Sequence, residues 1–134
     1  MSVRAVLVLA SLVVVSLVGG VVSRAEAPPG VKRSVLQKHD LRAAGYEGVM
    51  AQVEIAPGGR EGKHTHPAEV LAYVLEGTAT LEVEGQPTQT LGPGSSFFIP
   101  AGKVHEGINN GTSPVKLVAV FVTEKGKPMT TAAK

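Results

Sequence analysis

Cysteine and tryptophan are both absent from the 134 residues, and aromatic residues make up only 4% of them. Without a thiol there is no disulfide framework, zinc–thiolate site, iron–sulfur cluster, cysteine nucleophile or acylated lipoprotein anchor. Charge is scarce as well, at 18% of the chain, and it is unevenly placed. Residues 1–25 carry Arg4 and Arg24 and no acid, so of the 13 Lys and Arg the remainder keeps 11, against all 11 acids. The pI of 9.0 therefore belongs to the N-terminal segment. A nucleic-acid binder concentrates basic residues on its folded part, and the near-neutral remainder disfavours that class. A remainder of this length is one ordinary domain. With 16 Gly, 9 Pro and 43% hydrophobic residues, it reads as turn-rich, β-rich and ordered.

The segment itself has a positive start at Arg4, an apolar, Gly or Ser run from Ala5 to Val22, and small residues two apart at Ser23 and Ala25. These are the three regions of a secretory signal. Cleavage is expected after Ala25, because a cut after Ala27 would place Pro28 just beyond it. The alternative is an uncleaved membrane anchor, since the run lies at the lower limit of a bilayer span. Either way the remainder is exported, to the periplasm or outside the cell, and a cleaved chain has no stable membrane partner. An exported domain without disulfides must be held together by its core or by a metal.

Beyond a linker over 26–33, almost every run has period two. Val49, Ala51, Val53 and Ile55 alternate with Met50, Gln52 and Glu54, and Ala79, Leu81 and Val83 alternate with Thr80 and Glu82. Strands place successive side chains on opposite faces and so produce this pattern. Turn signals separate the runs at Pro57-Gly58-Gly59, Gly92-Pro93-Gly94 and Asn109-Asn110-Gly111. Further strands are expected near 35–39, 63–66, 70–75, 88–91, 96–99, 104–108 and 115–122. A short helix over Leu36–Ala44, ended by Gly45, is the one helical candidate. So many short strands imply an all-β sandwich or barrel over residues 34–124, followed by a polar tail, 125–134, lying loose or along the outside. Tyr73, Phe97, Phe98 and Phe121 are expected in the core.

His64 and His66 stand at i and i+2, so on a strand both imidazoles leave the same face, about 7 Å apart along the chain. His105 opens another strand about 40 residues later. A His-x-His pair alone is weak evidence of a metal site. His39 has no partner at a useful spacing and reads as a surface residue.

The surroundings of these histidines resemble the cupin superfamily. Gly58-(x5)-His64-x-His66, followed by Glu69 and by Tyr73 to Gly77, resembles the first cupin motif, and Gly94-(x5)-Pro100-x-Gly102-(x2)-His105-(x3)-Asn109 resembles the second. The resemblance implies a jelly-roll β-barrel of the small single-domain bacterial kind, usually a homodimer, with a metal at the bottom of an open cup. His64, His66, His105 and a carboxylate are the implied ligands. The chain departs from the pattern at the carboxylate: Glu69 comes one residue early, and counting back from Gly77 the ligand position falls on Val70. A one-residue slip sends a strand side chain to the other face. A bulge after Pro67 would return Glu69 inward; without one the site has three histidines only. Both phases leave an apolar face, Val70, Ala72 and Val74 on one and Leu71, Tyr73 and Leu75 on the other.

Imidazole with or without one carboxylate suits a divalent first-row transition ion, whether iron, manganese, nickel or zinc. The expected function is a metal-dependent enzyme, of dioxygenase or isomerase type, acting on a small metal-chelating substrate held in the barrel. The alternative is a metal- or ligand-binding module without turnover.

Overall fold

The structure, a computed structural model, describes residues 27–134; the expected signal at 1–25 lies outside them. Among the described residues there are ten strands and no helix: β1 (Val31–Asp40), β2 (Tyr46–Ile55), β3 (His64–Thr65), β4 (Ala68–Glu76), β5 (Ala79–Val83), β6 (Gln89–Leu91), β7 (Ser96–Ile99), β8 (His105–Ile108), β9 (Val115–Glu124) and β10 (Thr131–Ala132). They form two antiparallel sheets, ordered β1-β2-β9-β4-β7 and β10-β3-β8-β5-β6. One core is shared between their inner faces. This is the expected all-β jelly roll.

Two expectations change at the edges, and a third is narrowed. The barrel begins at Val31, inside the expected linker, because Val31 to Val35 pair with Ile55 to Ala51 in β2. Leu36 continues the same strand, so no helix forms there; pairing with β2 outweighs the local helical reading of 36–44. Of the two alternatives for the tail, the described residues take the second, along the outside. Its Thr131 and Ala132 pair with Thr65 and His64 as β10.

Register within the larger sheet explains why the barrel is hollow. Inward residues line up in rows across the strands: Val49, Phe121, Val70 and Ile99 in one, Ala51, Ala119, Ala72 and Phe97 in the next, Val53, Leu117 and Val74 in a third. The middle row has three alanines side by side, so it rises less from the sheet than its neighbours. A chamber of about 40 Å³ opens over Ala72 and Ala119, walled by Val53, Val70, Leu81 and Phe121.

Asn109 closes one end of the barrel. Its side chain is fully buried and donates to the carbonyls of Ile55 (2.9 Å) and Ser113 (2.8 Å) while accepting from the Gly111 N–H (2.9 Å). These bonds tie the end of β2 to the β8–β9 turn. The turn signal at Asn109-Asn110-Gly111 thus also anchors a second loop. At the C-terminal end of β4, close by, Gly77 has φ +73° and packs so closely on Pro114 that an added Cβ would collide with its carbonyl.

The phase of β4 is settled by pairing. Val70, Ala72 and Val74 are buried, whereas Leu71, Tyr73 and Leu75 face outward at 53%, 50% and 46% exposure. Phe98, opposite Leu71 on β7, is also exposed. Tyr73 and Phe98 therefore leave the expected core and help form an apolar outer stripe; Phe121 and, in part, Phe97 belong to the core.

Candidate metal centre

β3 and β8 lie side by side with His64 directly opposite His105. His66 follows two residues after His64, and alternation along the chain brings its ring to the same side. All three are buried. Their ring centroids are 4.2–4.9 Å apart, and one ring nitrogen from each lies within 4.8 Å of the other two. Phe121 meets the His66 ring edge-on at 5.0 Å. The structure thus brings together the three histidines that the sequence singled out, while His39 stays exposed on β1.

The orientation of each ring is set by a main-chain carbonyl. His64 Nδ1 lies 2.7 Å from the Gly62 carbonyl, His66 Nδ1 lies 2.6 Å from that of Met129, and His105 Nδ1 lies 2.9 Å from that of Lys103. A carbonyl only accepts, so each Nδ1 must carry the proton. In a neutral ring Nε2 then carries a lone pair. His64 Nε2 and His66 Nε2 are 3.2 Å apart, and two lone pairs at that distance repel. A hydrogen bond there would require one ring to be protonated. Burial opposes this: it pushes His66 down to about 3, against a raising effect of the Met129 bond, with His64, His105 and Arg33 lowering it further. His105 is lowered as well, chiefly by burial. The converging nitrogens form a donor set that could hold a metal cation.

A relay outside the chamber steadies the first ring. Arg60 donates to Glu106 through Nε (3.0 Å) and Nη2 (2.8 Å), and Glu106 accepts from the Gly62 N–H (3.2 Å). The Arg60 hydrogen bond holds the Glu106 carboxyl below its ordinary range. Gly62 is therefore fixed to β8 on its N–H side while its carbonyl orients His64.

Glu69, the expected fourth ligand, is displaced. β4 runs in unbroken register with β9 from Ala68 to Val74, placing Glu69 opposite Val122. Without a bulge after Pro67, Glu69 points outward and is exposed. Val70 takes the inward place at 2% exposure. This corrects the expected ligand set: among the described residues, geometry leaves three imidazoles and no carboxylate among the converging atoms.

Three contributors were not legible beforehand. Glu61 and Arg33 both line the chamber; Arg33 was assigned to the linker, and Glu61 stands in a Gly-flanked loop without periodicity. Met129 acts through its main chain, which has no residue signature. Only Glu61, three residues before His64 and in a chain with few acids, offered a usable signal.

The neutral His66 ring gives a pH dependence with a definite sign. Unfolded histidines titrate near 6.5 and folded His66 near 3, so between those values the unfolded chain binds more protons. Stability is full above about pH 6.5 and is lost as pH falls toward 3. Between pH 7.5 and 4.5 the metal-free protein is expected to lose roughly 2–3 kcal/mol in urea unfolding, from His66 alone. An unchanged unfolding midpoint over that interval would contradict a buried, neutral His66.

The profile of the cupin domain matches residues 51–121, a span that runs from β2 to β9 and contains the whole triad. Germin-like protein 4-1 of Oryza sativa subsp. japonica is 34% identical over 92 residues, covering 61% of this chain and 36% of the relative. The chain thus spans about a third of the length of the curated relatives it matches. Among solved structures, the dimethylsulfoniopropionate lyase DddQ of Ruegeria pomeroyi superposes with a TM-score of 0.59 at 26% identity, over 64% of this chain and 43% of that one. An oxalate oxidase does so with 0.64 at 25%, over 80% and 57%. With both motifs, the jelly roll and the profile over more than half its length, this chain belongs to the cupin family.

Proposed function

We propose that this chain is a metal-dependent cupin enzyme in which His64, His66 and His105 hold one divalent first-row transition ion through Nε2 and present it to a small anionic substrate. The observation that carries the reading is the set of three Nδ1–H groups committed to carbonyls, which leaves three neutral donors converging in a buried pocket. Such an ion supplies Lewis-acid polarisation of a chelating substrate and, if redox-active, electrons. The donors fit iron, manganese, nickel or zinc. Because Val70 stands where a carboxylate would neutralise charge, the site favours an anion to complete the shell. The apolar wall excludes water and strengthens that attraction.

Size restricts the substrate. About 40 Å³ of free space is some three times what one water needs, which suits a molecule of few heavy atoms. Two of the similar proteins are named for small carboxylates, oxalate and dimethylsulfoniopropionate, and this supports the same class here. Export rests on the N-terminal sequence pattern. A binding module without turnover is the alternative, separated by turnover of chelating acids and diols by the metal-loaded protein.

Calorimetric titration with Zn(II) tests the site itself. One equivalent is expected for the wild type. His64→Ala, His66→Ala and His105→Ala should each lose more than the roughly 10–100-fold that an outer-shell change costs, while Glu69→Gln should bind as the wild type does. Absence of a stoichiometric site, or a weakened Glu69→Gln, would overturn the assignment.

We also propose that the outer stripe of Leu71, Tyr73, Leu75 and Phe98, each 46–53% exposed, is covered in a homodimer, since contiguous apolar patches on monomers are small. Light scattering at micromolar concentration should give twice the chain mass, and Leu71→Glu with Phe98→Glu should give the monomer. A monomeric wild type would contradict it.

A further inference from the structure

Besides the imidazoles of His66 and His105, the titratable side chains that line the chamber among the described residues are Arg33 and Glu61. Arg33 enters by register: it pairs with Val53, whose side chain is buried, and directly opposed residues share a face. Its Nη2 donates to Glu61 Oε1 at 2.8 Å, with side-chain exposures of 26% and 12%. Glu61 is anchored by its own N–H, which donates to the Gly107 carbonyl at 3.0 Å. Gly107 stands two residues after His105 on the same inward face of β8. A Cβ at 107 would collide with Glu61 Oε2, so the carboxylate occupies the space of an absent side chain next to His105.

A bond between β1 and this loop needs no charges inside an apolar chamber. Desolvating two ions is costly, and their mutual attraction repays it only in part. Arg60 and Glu106 show the cheaper arrangement, with Arg60 well exposed to solvent. What Arg33 adds inside is a planar fork of donors that binds one carboxylate and can bind another in its place.

We propose that Arg33 is the anion-reading residue of the chamber and that Glu61 is its resident carboxylate, displaced when a small carboxylic acid anion binds. The exchange keeps one carboxylate on the guanidinium, and the cost of moving the Glu61 charge away from Arg33 is what makes Glu61 a competitor; selectivity comes from the fork geometry. A ligand with a second donor group reaches the triad with its other end, the one point at which this inference rests on the metal reading above. Glu61 therefore acts as an internal competitor, and neutralising it tightens anion binding.

Acetate is the probe, because a monocarboxylate can be read by Arg33 without metal. Acetate is titrated into the full-length, metal-free protein, following the methyl resonances of Ala72 and Ala119, which line the chamber and are present in every variant. Glu61→Gln is expected to bind acetate at least about tenfold more tightly than the wild type, the size of one charge-assisted hydrogen bond. Gly107→Ala, which evicts the Glu61 carboxylate sterically, should shift affinity the same way and serves if Glu61→Gln does not fold. Arg33→Gln should abolish binding, and Arg33→Lys should retain part of it. Unchanged or weaker acetate binding in both Glu61→Gln and Gly107→Ala, or undiminished binding in Arg33→Gln, overturns the proposal. Zn(II) titration of the same samples separates the two readings. Zinc binding without the acetate response leaves the metal site standing alone, and the acetate response without zinc binding leaves Arg33 as an anion site in a cupin without metal.

Discussion

The Nδ1–H of each buried histidine is committed to a main-chain carbonyl, those of Gly62, Met129 and Lys103, and the chemistry of the chamber depends on that commitment. A ring free to rotate or to exchange tautomers could satisfy its neighbour with a proton. Rings fixed in this way turn lone pairs toward one another at 3.2 Å and store a repulsion that a cation relieves. The supports come from three different places in the chain: the loop before β3, the turn before β8, and the C-terminal segment docked by β10. The site is consequently a property of the closed barrel, and local sequence around any one histidine does not produce it.

Packing sets what accompanies the triad. Alanines 51, 119 and 72 in register across three strands leave room above the sheet, and Phe121 and Val70 bound that room on the histidine side. Val70 also removes the charge that a glutamate would bring. The same phase of β4 that buries Val70 turns Leu71, Tyr73 and Leu75 outward, so one parity choice governs both the charge of the site and the apolar stripe on the outside.

Most of the fold was legible because its signals are local. Alternating burial in β2, β5 and β9 follows directly from alternation in sequence, and β7 spans the expected 96–99. The two His-bearing segments were legible for the same reason, since spacing at i and i+2 sets a common face. What escaped is non-local. In β4 both phases are apolar, so only the ladder with β9 decides between Glu69 and Val70. Arg33 follows two prolines and a glycine and resembles a linker until β2 pairs with it. Met129 lies in a polar tail and contributes a carbonyl, a group that every residue possesses. The 36–44 stretch carries residues compatible with a helix, and its strand exists because β2 offers an edge.

The central claim is that the chain presets three neutral Nε2 donors. Long-range proton–nitrogen NMR of the imidazoles in the metal-free protein at neutral pH reads this directly. The account predicts that His64, His66 and His105 all show a protonated Nδ1 and an unprotonated Nε2, with His39 alone in tautomer exchange. A proton on Nε2 of any of the three, or an imidazolium among them, would contradict it.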